Sequence, residues 1–434
     1  MSLKDWAARL DNYVYYLLLF TVAVIPLEQE FTACCVAVTF ICALLASFGG
    51  RQHEKVLRPW QQGLLYLLFA IGWLSLHFSM DKFLSSFNFL YVGGQYAALI
   101  FVLLRYGWVR PQPFLAASEA EPQNLWQRFS CLPRPLQLIG AFLTVSLLVS
   151  GIGLAQKFLG ITAEGIWVDP QEFPELKIRV FSTLVNPNIL AGYLVLVIAY
   201  AAAFISVFRQ QKLRLALLVT ALMAAGCLLY TYSRGNWLAC AAVLLAFCLL
   251  FYHRAFVPVL GVGALGLAVG GHAVWHRLAS IMNGQDTSMA LRLAYLRSTK
   301  WIIEEYPLGV GWYGYRFVYP TYNYYLADTS VIMYHCHNLF LNVLAELGWH
   351  GLLVFLAVWG MFLYHGWKLA FNRKAAWTTA MGRGYVLAAI GIAVGGLTDH
   401  VYFNTQMGLL FWLLGTLTML SYKLDKYEVK KENP

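Results

Sequence analysis

Charge is scarce in this 434-residue chain: 12% of its residues are charged, against 60% hydrophobic. A soluble domain is about a quarter charged, so a water-soluble fold is excluded. The eight cysteines show no zinc-type or redox spacing. Cys34, Cys35, Cys42, Cys227, Cys240 and Cys248 lie inside apolar runs and Cys131 in a basic loop, and all read as small, polarizable packing residues. Only Cys336 lies near the candidate site residues, beside His335 and His337. The chain lacks His-Glu-X-X-His, an Asp-X-Asp in its first outer loop, a short-period repeat and a Gly-rich phosphate loop. Gly309-Val310-Gly311 follows Pro307 rather than a strand and reads as a turn. No metal, cofactor or nucleic-acid partner is expected, and no cleavable signal peptide, because the first apolar run carries straight into the next.

What remains is apolar runs of the ~20 residues that a bilayer demands. The reading is an all-α polytopic membrane protein with about twelve transmembrane helices and a large extracytoplasmic loop. The spans fall at roughly 13–29, 31–48, 62–78, 83–104, 136–158, 188–208, 214–232, 235–252, 256–274, 338–365, 384–400 and 405–422. Residues 1–274 then hold helices one to nine, with a cytoplasmic loop at 105–135 and an outer loop at 159–187. Residues 275–337 form the large periplasmic loop with an amphipathic helix. Residues 338–434 hold helices ten to twelve and a basic cytoplasmic tail. Lysine and arginine concentrate on the side of the N-terminus, so both termini are expected in the cytoplasm.

The cations on the disfavoured side are Lys82, Lys157, Lys177, Arg179, Arg234, Arg277, Arg292, Arg297, Lys300 and Arg316. Either they pair with Asp169, Glu172, Glu175, Glu304 and Glu305, the expected case for Lys177 and Lys300, or they serve a function there. Arg234, in Ser233-Arg234-Gly235-Asn236, has no acid nearby in sequence; its alternative is snorkelling to the interface. Arg292 lies on a helix expected from about Ser288 to Tyr306, where Arg292, Leu296 and Thr299 or Lys300 share a face. That helix is equally readable as an interfacial one, with Leu293 and Trp301 against the membrane. Arg179 stands before Asn186-Pro187-Asn188, in which Asn188 is expected to cap the next helix. His337 adjoins the tenth span, with His335 as a rival base. Asn338, Asn342 and Glu346 then form one polar stripe on an apolar helix.

Several arginines and one base suit phosphate chemistry. Arginine binds phosphate oxygens bidentately and stays charged. It can stabilise a departing diphosphate while a histidine deprotonates an attacking hydroxyl. Arg179, Arg234 and Arg292 are therefore expected to meet in one outer-face cavity that opens sideways to lipid.

The ordered pieces Arg179…Asn186-Pro187-Asn188, Ser233-Arg234-Gly235, Arg292 with Pro307-Leu308-Gly309-Val310-Gly311, and His337-Asn338 with Glu346-Leu347-Gly348 resemble the O-antigen ligase and polymerase superfamily, with the ligases the nearer match. The resemblance implies a fold related to the GT-C glycosyltransferases and metal-free glycan transfer from undecaprenyl diphosphate to lipid A-core. It implies His337 as base and Arg234 and Arg292 as essential arginines, with Asp399 matching an acid that some ligases need. Arg297, Arg316, His335 and Asn338 are possible supporting residues. The implied partners are an undecaprenyl-diphosphate-linked glycan donor, a lipid-anchored or glycan acceptor and membrane lipids. The superfamily also contains polymerases of O-antigen and teichuronic acid and protein O-glycosylating enzymes. A transporter or flippase for the same lipid is the reading from another class.

Overall fold

The computed structural model describes residues 3–49, 56–108, 129–161, 179–279, 287–324, 333–372 and 375–432. Every element among them is helical, and helices occupy all twelve expected positions. They are α1 (Leu3–Val24), α2 (Gln29–Ser47), α3 (Pro59–Ser75), α4 (Lys82–Tyr106), α5 (Arg134–Leu159), α6 (Pro187–Val207), α7 (Gln211–Tyr230), α8 (Arg234–Phe251), α9 (Phe256–Ala279), α11 (Leu339–Ala370), α12 (Ala376–Thr398) and α13 (Thr405–Glu432), with α10 (Thr287–Glu305) in the long loop. Ten of the twelve are long and apolar enough to cross a membrane. The other two are α1, which opens on Lys4, Asp5, Arg9 and Asp11, and α3, which is 17 residues long.

Helix α6 is buried along almost its whole length, packed against α7 and α12. Helix α12 is held between α6, α8 and α11. A helix that is hydrophobic all round belongs in the middle of a bundle, and α6 is one. Helix α9 is the opposite case, apolar but exposed nearly throughout.

The long loop is tied to the bundle by a break in α11. Gly348 has φ 70°, ψ 179°, which interrupts the helix and frees the carbonyls before it. Val310 N donates to Ala345 O and Gly311 N to Glu346 O, each at 2.9 Å. Gly309 takes φ 90°, and a methyl group on it would lie 2.4 Å from Glu346 O. The Gly-Val-Gly turn is thus a backbone staple that satisfies a broken membrane helix. The polar stripe of α11 faces the same loop: Asn342 Oδ1 accepts from Cys336 N at 3.1 Å, and Glu346 Oε1 from Tyr315 N at 3.4 Å.

Candidate active site

The chain reverses direction at each span, so the N-termini of α6, α8 and α11 and the C-termini of α7, α9 and α12 share one end of the bundle. Side chains from this end meet on Asp399, the residue that ends α12. Its carboxylate takes two hydrogen bonds on one oxygen, and a hydrogen bond and an ion pair on the other. Oδ1 accepts from His337 Nδ1 at 2.9 Å and from His400 N at 2.8 Å. Oδ2 accepts from Asn188 Nδ2 at 3.0 Å and lies 3.6 Å from an Arg292 guanidinium nitrogen. Burial alone would raise the Asp399 pKa; the charge and hydrogen bond of His337, then Arg292 and His335, outweigh it and hold the carboxyl well below the usual range. An ionised carboxylate only accepts, so Nδ1 of His337 carries the hydrogen and Nε2 is left to take a proton.

Arg179 joins from the segment before α6. It donates from Nε to Thr231 O at 2.8 Å and from a terminal nitrogen to Asn188 Oδ1 at 2.9 Å. Burial, then the positive charges of Arg277 and Arg292, lower its pKa to about 9; Asp399 opposes this and Arg234 adds to it. It stays charged at neutral pH. Arg234, Arg277 and Arg292 therefore lie within electrostatic reach of Arg179, as does Asp399, and Arg179, Arg234 and Arg277 are buried. The N-termini of α6, α8 and α11 add the positive ends of their dipoles. This surplus of positive charge suits an anionic ligand.

Local sequence explains the placement. Pro187 is the first residue of α6 and holds Asn186 extended at φ −121°, ψ 126°. Asn186, not Asn188, therefore caps the helix, accepting from Asn188 N at 2.8 Å and Ile189 N at 3.4 Å. The expected capping role of Asn188 is corrected: its side chain is released to bridge Arg179 and Asp399. In Ser233-Arg234-Gly235, a methyl group on Gly235 would lie 2.1 Å from Thr398 Oγ1. Glycine lets the first turn of α8 sit against the end of α12, next to Asp399. Asn338 caps α11, accepting from Phe340 N at 3.1 Å and Leu341 N at 3.0 Å, and donates to Leu397 O at 3.1 Å. His337 itself has φ 56°, uncommon for a non-glycine residue. Its ring stacks on Tyr295 with centroids 5.3 Å apart.

The remaining expected residues fall elsewhere. His335 is buried, and Nδ1 accepts from His337 N at 3.2 Å, so it supports the strained backbone. Burial first, then the charge of His337, holds its pKa well below the ordinary value. Arg316 lies among Tyr313, Phe317 and Tyr334, apart from Asp399. Arg297 is exposed on α10. On that helix Arg292 and Thr299 face inward, while Lys300 points out and pairs with Glu304 at 3.7 Å. The pairing expected of Lys177 lies outside the described residues. Two roles were passed over in sequence, Asn188 as a bridge and His400, whose pKa burial pushes down to about 4, and Arg277 was named among the outer cations but given no place in the site. Arg277 carried the same signal as Arg234, a cation at the end of an apolar run with no acid close by.

Ligand atoms of His335, His337 and Asp399 lie within 4.8 Å of one another, which is metal-ligand spacing. Both histidines spend a ring nitrogen on the hydrogen bonds above, and the charge of Arg292 opposes a dication there.

Residues 218–356 match the family model O-antigen ligase. That stretch, about a third of the chain, is similar to the O-antigen ligase family and supports the resemblance to its superfamily. The matched stretch holds Arg234, Arg277, Arg292, Arg316, His335, His337 and Asn338, while Arg179, Asn188 and Asp399 lie outside it. No curated protein matches the chain. The match supports an O-antigen ligase or polymerase type of function in general, and the many apolar helices are those of a multi-pass membrane protein.

Proposed function

We propose that this chain transfers a glycan from undecaprenyl diphosphate to an acceptor sugar, of the lipid A-core kind, at the outer face of the cytoplasmic membrane. The observation that carries the proposal is the junction at Asp399, where a histidine with a free Nε2 meets Arg292 directly and Arg179 through Asn188, with Arg234 and Arg277 within electrostatic reach of Arg179. The acceptor hydroxyl oxygen attacks the anomeric carbon and forms the new C–O bond. The bond from that carbon to the diphosphate oxygen breaks, and its electron pair leaves with the diphosphate. The hydroxyl proton passes to His337 Nε2. Asp399 keeps the opposite nitrogen protonated and the ring in place, as a positioning residue. Arg292 and Arg234 bind the diphosphate, with Arg179 and Arg277 behind them, and stabilise the charge that grows on it. These cations take the part a metal plays elsewhere. Attack opposite the leaving group inverts the anomeric configuration. The polyprenyl tail stays in the bilayer and enters sideways, near spans seven to ten.

The test is glycan transfer by purified protein from an undecaprenyl-diphosphate donor to lipid A-core, with chelator present. Transfer that chelation abolishes and Mg²⁺ restores, or a product with retained configuration, would overturn the mechanism. Transfer to a growing glycan and not to lipid A-core would make the chain a polymerase of the same superfamily.

A further inference from the structure

A second cationic feature lies in the long loop. The guanidinium carbon of Arg316 is 5.1 Å from the Tyr313 ring centroid, 5.2 Å from Phe317 and 4.8 Å from Tyr334. One of its N–H groups donates to Tyr313 Oη at 2.6 Å. Among the described residues it has no carboxylate partner. A guanidinium carries five donors in a fixed fork, and this contact uses one of them. Tyr313 is held at φ 61°, an outlier for a bulky side chain, and the turn that holds it is the staple onto α11. Tyr334 is 43% exposed, while Tyr313, Arg316 and Phe317 are half-buried. The group is fixed from behind and open in front.

Its place relative to His337 is constrained. Tyr334 is three residues from His337, at most about 10 Å along an extended chain. Tyr315, next to Arg316, stacks on Tyr319; Tyr319 packs on Tyr295, and Tyr295 on His337, with centroids 5.3–5.9 Å apart at each step. The contacts of Arg316 are with the rings of Tyr313, Phe317 and Tyr334. It would serve a different anionic group from the one the four arginines hold.

Sugar rings present a flat C–H face that packs on an aromatic face, and a guanidinium fork matches a phosphate or a carboxylate. An acyl chain would not need the cation, and a neutral sugar would need only the rings. We infer that Arg316, Tyr313 and Tyr334 form a subsite for a sugar bearing a phosphate or carboxylate group, on the acceptor side of His337. The acceptor side follows because in-line displacement brings the nucleophile from the face opposite the diphosphate, and so away from the arginine cluster. This inference rests on the glycan-transfer reading above.

The test is binding of glucose 6-phosphate and of methyl glucoside to the purified full-length protein, followed by saturation-transfer NMR. Wild type should prefer the phosphorylated sugar by about tenfold or more. Arg316→Gln should lose that preference, Arg316→Lys should keep part of it, and Tyr334→Ala should weaken both sugars. Arg292→Gln should leave the preference in place. An unchanged preference in Arg316→Gln overturns the subsite. So does a preference lost only in Arg292→Gln, which would put the phosphate in the Asp399 cluster. The assay needs no turnover. A preference that depends on Arg316 in a protein without transfer activity would sink the transferase reading and leave the sugar site. Transfer activity with no such preference would do the reverse.

Discussion

Replacing Asp399 by asparagine keeps the shape of the side chain and removes its charge. Each carboxylate oxygen now faces two donors: His337 Nδ1 and the His400 amide on one side, Asn188 Nδ2 and Arg292 on the other. Whichever way the new amide is turned, its NH₂ group confronts one of these pairs donor to donor. If it faces His337, the imidazole must give up its hydrogen at Nδ1 or turn away, and Nε2 no longer accepts. A hydrogen bond to a charged group is worth about 1.5–3 kcal/mol, so losing one such pair costs on the order of 3 kcal/mol or more. The loss of a positioned base lowers the rate by about 10²–10⁴. Asp399→Asn should therefore reduce kcat by that factor in glycan transfer by purified protein. Donor affinity should fall much less, because the arginines remain. Turnover within about tenfold of wild type, with the protein folded, would refute the view that Asp399 orients His337.

Arg277→Gln should weaken donor binding by about tenfold with a smaller effect on kcat, measured by donor titration. Gly235→Ala forces a methyl group against Thr398 and should lower stability by about 1–3 kcal/mol; the melting temperature should recover in part when Thr398→Gly is added. Acid should destabilise the fold in a defined window. Burial holds the folded-state pKa of His400 down at about 4, below the ordinary histidine value. Stability linked to it is complete above pH ~6.5 and is lost as the pH falls toward 4, because the unfolded chain takes up the proton first. The melting temperature should fall between pH 7 and pH 5, and less so in His400→Gln.

The membrane helices were legible because hydrophobic length alone marks them; the span expected at 188–208 is the helix Pro187–Val207. The arginines were legible because positive charge on the disfavoured side of a membrane is costly to keep. Asp399 was another matter. Nothing local distinguishes it, and it entered only through resemblance; its importance comes from three chain segments that meet on it. Asn188 was misjudged because the capping rule applied equally to Asn186, and the proline between them decided the matter. Arg316 was named only as a possible supporting residue; its surroundings, Tyr313 and Phe317 in sequence and Tyr334 in space, came from the structure.

The central claim is that His337 accepts the acceptor proton. The most direct measurement is glycan transfer by purified His337→Ala beside its affinity for the undecaprenyl-diphosphate donor. The account predicts turnover lowered by about 10²–10⁴ with donor affinity nearly unchanged. Near-normal turnover in His337→Ala would contradict it.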